Sequence, residues 1–179
     1  MEKDKKAMEE RIELPEGVSV TAESGMLTVK GQLGELKKSL QGVKAKVEGK
    51  EMILSCLKTT KREKKLLGTI SAHVRNMISG VMEQQTYRLK ICSGHFPMNV
   101  AVQKEEVMIK NFLGEKIPRT VKVKQGTEVK VDGEFVVVTS PDKELAGQMA
   151  ASIQQITRRP GFDRRIFQDG IYIIERPGK

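Results

Sequence analysis

Leu27-Thr28-Val29-Lys30-Gly31-Gln32-Leu33-Gly34-Glu35 and Val107-Met108-Ile109-Lys110-Asn111-Phe112-Leu113-Gly114-Glu115 are two versions of one stretch, and this pair decides the fold. Working outward, Lys46-Val47-Glu48-Gly49 matches Lys130-Val131-Asp132-Gly133, and Met52-Ile53-Leu54-Ser55 matches Val136-Val137-Val138-Thr139. Leu66-Leu67-Gly68-Thr69-Ile70-Ser71-Ala72 then matches Leu145-Ala146-Gly147-Gln148-Met149-Ala150-Ala151. The offsets run 80, 84 and 79 residues, so the insertions between blocks are loop-sized. Chance supplies single blocks of this kind but rarely several in the same order, so the chain reads as two homologous units. The boundary is expected near Gln84–Tyr87. One repeat then occupies 1–84, with a short charged N-terminal extension over the first ten residues, and the second occupies 85–179.

Each half carries the same order of signals. Apolar alternation comes first, at Val18/Val20 and Leu27/Val29, then at Val100/Val102 and Val107/Ile109. A period of two buries one face of a sheet and solvates the other. Glu48-Gly49 and Asp132-Gly133 each sit between two strand-like runs, a strong hairpin signal. Each half ends in a helical stripe: Leu66, Ile70, Val74, Met77 and Val81, or Leu145, Met149, Ile153 and Ile156. The second helix is expected to start with Ser140 as cap, Pro141 at the first helical position and Asp142 at the positive end of the dipole. It should stop by Pro160-Gly161. The fold class is therefore α+β, a tandem duplication of a small unit with a mostly antiparallel sheet packed on one amphipathic helix.

Only the second half has a tail. Between Thr157 and Arg176, the arginines Arg158, Arg159, Arg164 and Arg165 fall within eight positions around Pro160-Gly161. A second turn at Asp169-Gly170 feeds Ile171-Tyr172-Ile173-Ile174.

Composition excludes several classes. Thirty-two basic residues against 23 acidic ones leave +9 on 179 residues, with a hydrophobic share of 38% that can support packed cores. No apolar run approaches the roughly 18–20 residues needed to cross a bilayer, and the charged N-terminus lacks the apolar segment of a secretory signal. Cys56 and Cys92 are too few for a disulfide framework or a zinc site of their own, and read as reduced thiols. A basic cytoplasmic protein with a polyanionic partner is the expectation, with no membrane, no small-molecule substrate, no cofactor and no metal. An enzymatic constellation is also absent. Gly42 and Gly49-Lys50 do not have P-loop spacing. His73 and His95 lack companions at metal-ligand spacing, and Cys92 stands too close to His95 in the chain to be oriented for attack. Asp163 and Asp169 sit in an arginine-rich setting that favours turn-forming or arginine-orienting roles over paired catalysis.

The basic residues carry the functional signal. Arginine meets phosphate bidentately through a planar fork, so the Arg158/Arg159 and Arg164/Arg165 pairs, with Arg176 behind them, mark a phosphate-binding surface. Lys116, Arg119, Lys122 and Lys124 form a second series. On an extended strand Lys122 and Lys124 share one face and Val121 and Val123 the other. Lys58, Lys61, Arg62, Lys64 and Lys65 form a third cluster around the start of the first helix. There they oppose the macrodipole, so helix stability does not explain them; they read as a solvated loop or as a secondary RNA contact, with the contact favoured. Gross charge does not choose between the halves, which carry +4 and +5, but arginine does, with three in the first and seven in the second. Seven aromatics without Trp argue against base stacking and for recognition of a folded RNA backbone.

Gly94-His95-Phe96-Pro97-Met98-Asn99-Val100, Lys110-Asn111-Phe112-Leu113-Gly114-Glu115-Lys116, Ser71-Ala72-His73-Val74-Arg75-Asn76-Met77-Ile78 and Arg165-Ile166-Phe167-Gln168-Asp169-Gly170-Ile171-Tyr172 are distinctive segments. With Val29-Lys30-Gly31 and Gly34-Glu35-Leu36, they resemble the large-subunit ribosomal protein L-six family in its archaeal and eukaryotic branch, whose eukaryotic members are also called L-nine. The resemblance covers nearly the whole chain after the first ten residues. It implies a structural component, not an enzyme, that binds large-subunit ribosomal RNA chiefly through the C-terminal domain. It also implies a position near the sarcin–ricin loop and the stalk base, among neighbouring ribosomal proteins and close to docking translation factors. Arg158, Arg159, Arg164 and Arg165 fall in the segment the family uses against RNA. A non-ribosomal RNA-binding or RNA-chaperone protein is the alternative, separable by co-sedimentation with the large subunit.

Overall fold

Two acidic–glycine hairpins organise the chain, and each starts a sheet that packs on a helix. The computed structural model describes residues 8–23, 25–56, 58–163 and 165–178. It divides into two units, Met1–Gln84 and Gln85–Lys179. Every strand pairing in both is antiparallel.

The first unit contains β1 (Met8–Glu13), β2 (Ser19–Glu23), β3 (Met26–Gly31), β4 (Gly34–Ser39), β5 (Lys44–Glu48), β6 (Glu51–Cys56) and α1 (Lys61–Met82). Its sheets run β1-β6-β5 and β2-β3-β4. Helix α1 lies across both and buries Leu67, Ile70, Val74, Met77, Ile78 and Val81 against Leu27, Val29, Met52 and Leu54. The buried stripe therefore starts at Leu67, while Leu66 packs at its margin only half-buried. Thr60 caps the helix in a reciprocal box: its hydroxyl accepts from the Glu63 amide and the Glu63 carboxylate accepts from the Thr60 amide.

The N-terminal extension is shorter than expected. Residues 1–7 lie outside the described residues, but Met8–Glu13 is a strand paired along β6. Its inward positions are Met8, Glu10 and Ile12, so the apolar alternation is interrupted by a glutamate. That glutamate is satisfied from the helix: its carboxylate accepts from Ser71 Oγ (2.6 Å) and Arg75 Nη2 (2.7 Å).

The second unit contains β7 (Gln85–Cys92), β8 (Asn99–Gln103), β9 (Glu106–Lys110), a 3-10 turn (Phe112–Gly114), β10 (Arg119–Lys122), β11 (Glu128–Asp132), β12 (Phe135–Ser140), α2 (Lys143–Ile156) and β13 (Gly170–Glu175). Its sheets run β11-β12-β7-β13 and β10-β9-β8. The strands correspond one for one with those of the first unit, except that β13 is an addition on the outer edge of β7. The core joins Leu89, Val107, Ile109, Phe112, Val136, Val138 and Ile171 to the helix residues Ala146, Met149, Ala150 and Ile153. Leu145 and Ile156 from the expected stripe are half-buried at its margins.

The cap of α2 also differs from the expectation. Asp142, not Ser140, is the N-cap, and its carboxylate accepts from the amides of Glu144 and Leu145. Ser140 is the last residue of β12; its hydroxyl donates to Gly126 O (2.7 Å) and accepts from the Asp142 amide. Two cap-forming side chains stand two residues apart, and the strand claims the first of them.

The duplicated loop that follows β3 and β9 docks on the C-terminal end of the helix in each unit. In the first, the Leu33 amide donates to Val81 O (3.0 Å). The approach is close enough that a Cβ on Gly31 would stand 2.7 Å from Val81 Cγ2 and 2.9 Å from Val81 O. In the second unit a side chain makes the equivalent connection, Arg119 donating to the carbonyl of Ile156.

Candidate nucleic-acid interface

The loop from Asn111 to Glu115 holds its shape through backbone conformations that side chains rarely adopt. Asn111 (φ 60°) and Leu113 (φ 48°) are left-handed, and Gly114 follows at φ 76°. Phe112 between them is buried, and Asn111 Nδ2 donates to Pro97 O (3.1 Å). Left-handed non-glycine residues cost of order 1–3 kcal/mol each, so the surrounding contacts must over-determine them. The loop delivers Glu115 to the end of α2.

Glu115 is the organising group of the surface. Its carboxylate accepts two bonds from the Arg119 fork, from Nε and Nη2 at 2.7 Å each, and one from Arg159 Nη1 at 2.9 Å. Arg119 also donates through Nη1 to Ile156 O and Arg158 O, and its guanidinium stands over the Phe112 ring at 4.5 Å. The last turn of α2 has no basic residue of its own, so Arg119 supplies the cation that the helix C-terminus favours. Arg119 bonding, with burial opposing it, pulls the Glu115 carboxyl below its usual range; Arg119 and Arg159 charges add to the effect. The basic pattern of the sequence puts Arg119 among the RNA-facing residues, but its fork is engaged inside the protein, where it fixes the start of the tail.

The described arginines that follow this anchor, Arg158, Arg159, Arg165 and Arg176, reach the surface. Arg158 is exposed and its side chain has no partner among the described residues. Arg159, tethered by Glu115, stands over Phe162 at 4.6 Å. Asp163 pairs with Arg165 through Nε and Nη2 (2.8–3.2 Å), while the Arg165 side chain remains 89% exposed. The hydrogen bonds from the Arg165 side chain and then its amide hold the Asp163 carboxyl below its usual range. Arg164 lies outside the described residues. Arg176, beyond β13, is exposed.

Asp169 does not orient an arginine. Its carboxylate is buried, 1% exposed, and ties the tail to the 93–97 loop. Oδ1 accepts from the amides of Gly94 (2.7 Å) and His95 (3.0 Å), and Oδ2 lies 2.5 Å from His95 Nδ1. Burial acts to raise the Asp169 carboxyl, but the His95 amide and ring and the Gly94 amide outweigh it and hold it low. The His95 ring stacks on Phe167 at 4.8 Å, and Phe167 meets Phe162 edge to face at 4.9 Å. Beneath this roof, between the tail, the end of α2 and β13, opens a cleft of about 870 Å³.

The second basic series does not form one face. Strand β10 ends at Lys122, so Lys124 is off the strand, and its Nζ donates to Gln148 on α2 (2.7 Å). Lys116 and Lys122 are exposed. In the first unit Lys58, Lys61, Arg62, Lys64 and Lys65 are placed around a capped helix start. Of these, Lys58, Lys61, Arg62 and Lys64 face solvent and form no ion pair among the described residues. Lys65 lies on the same turn and is likewise exposed.

Sequence reasoning missed Glu115, Phe162 and Phe167 as site residues. Glu115 belongs to a distinctive segment, but its partner Arg159 is 44 residues away. Among the described residues no group of three or more His, Cys, Asp or Glu could hold a metal, and no helix is long and apolar enough to cross a membrane. Both cysteines are free; burial, with the nearby Glu63 charge, pushes the Cys56 thiol up.

A model of the family described as ribosomal protein L6 matches residues 14–84 and again 96–170, one copy in each unit. The chain belongs to the ribosomal protein L6 family. It is also 45% identical over 172 residues to the large ribosomal subunit protein uL6 of Methanococcus vannielii, an alignment covering 95% of this chain and 94% of that one. L6 proteins are structural ribosomal proteins and not enzymes. The second L6 match runs through the arginine tail and ends at Gly170, where β13 begins.

Proposed function

We propose that this chain is a structural component of the large ribosomal subunit, ribosome-associated in the cytoplasm, and binds large-subunit ribosomal RNA chiefly through its second unit. The observation that carries this is the tail: Arg158, Arg165 and Arg176 stand exposed on a scaffold locked by Glu115, Arg119 and Asp169. Arg158 and Arg176 present unpaired guanidinium forks to phosphate from that scaffold, and Arg165 presents its exposed side chain while paired with Asp163. Arg159 serves the same surface from its tether, Lys116 and Lys122 are exposed in the same unit, and Arg164, outside the described residues, joins the set on its sequence position alone. Arg119 acts as a positioning residue, and Lys124 is a flanking charge tied to α2. The exposed cluster Lys58, Lys61, Arg62, Lys64 and Lys65 is a secondary contact on the first unit.

The resemblance supports a site near the sarcin–ricin loop and the stalk base, where neighbouring ribosomal proteins and arriving translation factors are the remaining partners. The test is the salt dependence of binding to large-subunit RNA. Replacing Arg158 and Arg165 with Ala should weaken binding and flatten the log–log salt slope by about 0.7–0.9 for each phosphate no longer neutralised. An unchanged slope would move the interface elsewhere. Footprinting on large-subunit RNA then locates it, and protection remote from the sarcin–ricin loop would overturn that placement.

A further inference from the structure

The chain has only seven aromatic side chains, yet four of them (Phe112, Phe162, Phe167 and Tyr172) line the cleft beneath the arginine tail. Phe112 is buried behind Arg119, whereas Phe162 is 37% exposed and Phe167 and Tyr172 are half-buried. Three partly exposed rings at one cleft make a patch, and an exposed patch is more informative than a single exposed side chain. The scarcity that argued against base stacking is therefore offset by concentration at one place.

We propose that this cleft receives one unstacked nucleotide of the bound RNA, its base against the Phe162–Arg159 wall and its phosphate at Arg158 and Arg176. This rests on the RNA-binding reading above and adds to it a site for a base. Four observations converge. The volume, about 870 Å³, lies in the range of pockets that enclose small ligands. Arg159 over Phe162 makes a guanidinium–ring pair at 4.6 Å, and both rings and guanidinium planes stack splayed-out RNA bases. Arg158 and Arg176 on the rim are exposed cations without partners among the described residues. Gln154 on the floor accepts from the Ile173 amide through Oε1 (3.4 Å), which leaves its amide N–H groups available to a base edge.

Charge also selects the occupant. Three arginines and one carboxylate line the cleft, and that carboxylate, Asp169, is taken up by Gly94 and His95. An apolar peptide segment would leave two cations, Arg158 and Arg176, unanswered. A nucleotide answers both the rings and the charges.

The experiment uses the full chain and three hairpin RNAs that differ at one place: fully paired, carrying a single-nucleotide bulge, or carrying an abasic bulge. Stacking of one base on an aromatic side chain corresponds to about 5- to 150-fold in affinity, so the bulged RNA should bind that much tighter than the other two. Phe162→Leu should abolish the preference, so that this variant binds the bulged and the paired hairpins equally, and Phe162→Tyr should restore it. Tyrosine fluorescence melting confirms that the variants fold. Equal affinity for all three RNAs, with a normal salt slope, would overturn the base site and leave the phosphate reading standing; the cleft would then face protein. Failure to bind any of the RNAs would overturn both.

Discussion

Replacing Glu115 with Gln should separate the tail from its anchor. The wild-type carboxylate accepts three charge-assisted bonds, two from Arg119 at 2.7 Å and one from Arg159 at 2.9 Å. It is 27% exposed and Arg119 23%, so solvent screens the group only in part. Hydrogen bonds to charged groups are worth about 1.5–3 kcal/mol, and glutamine retains one neutral acceptor, so a net loss of about 2 kcal/mol is expected. For a unit of this size that lowers the melting midpoint by roughly 8–16 °C. The chain has no Trp, and both of its tyrosines, Tyr87 and Tyr172, are in the second unit, so tyrosine fluorescence reads that unit alone.

The pH dependence adds a check on sign. The folded Glu115 carboxyl is held low, chiefly by Arg119. Its stabilisation is fully present above the unfolded value of about 4.3 and is lost as pH falls through the folded value. The difference between wild type and Glu115→Gln should therefore be largest near neutrality and shrink below about pH 4.3. A midpoint shift under about 2 °C, or a gap that widens in acid, would refute the anchoring role.

Two further substitutions test the rest of the framework. Gly31→Ala drives a Cβ into Val81 and should cost the first unit about 1–3 kcal/mol. Hydrogen exchange at the Leu33 amide, which bonds Val81 O, should accelerate, and unchanged protection would show that the loop yields freely. Asp169→Ala leaves the Gly94 and His95 amides and the His95 ring without their buried acceptor, for a loss of about 3 kcal/mol in the urea unfolding of the second unit. A change below about 0.5 kcal/mol would mean that water replaces the carboxylate.

Local chemistry was legible in the residues and long-range chemistry was not. Asp132-Gly133 marks its hairpin because a two-residue turn needs little beyond its own sequence: Asp132 ends β11, and the turn is Gly133–Glu134 with Gly133 at a positive φ of 55°. Ser140 and Asp142 are both good caps, and the choice between them was made by β12, which takes Ser140 into its last pair with Gln85. Arg119 and Arg158 are the same side chain in similarly basic surroundings. One closes the end of α2 and the other faces solvent because the left-handed Asn111–Gly114 loop brings Glu115 beside the first. Nothing in the residues around Arg158 distinguishes it as the free one, because the choice is made by a loop more than forty positions away. Glu10 is the converse case: it reads as one more exposed charge near a charged terminus, yet it occupies an inward strand position because Ser71 and Arg75 meet it there.

The strand β13 shows how a duplicated protein acquires a new part without rebuilding an old one. In each unit the first strand lies beside the second strand of the acidic–glycine hairpin, with its other side open to extension. In the second unit six residues extend that border, and the chain crossing from α2 to the added strand is the arginine tail. In the first unit no strand among the described residues extends that border, and Glu9, Arg11 and Glu13 stand exposed along it, alternating charges that discourage a stray strand from adding there. The same margin is thus used in two ways: as the seat of an added strand in the second unit, and as a charged edge in the first.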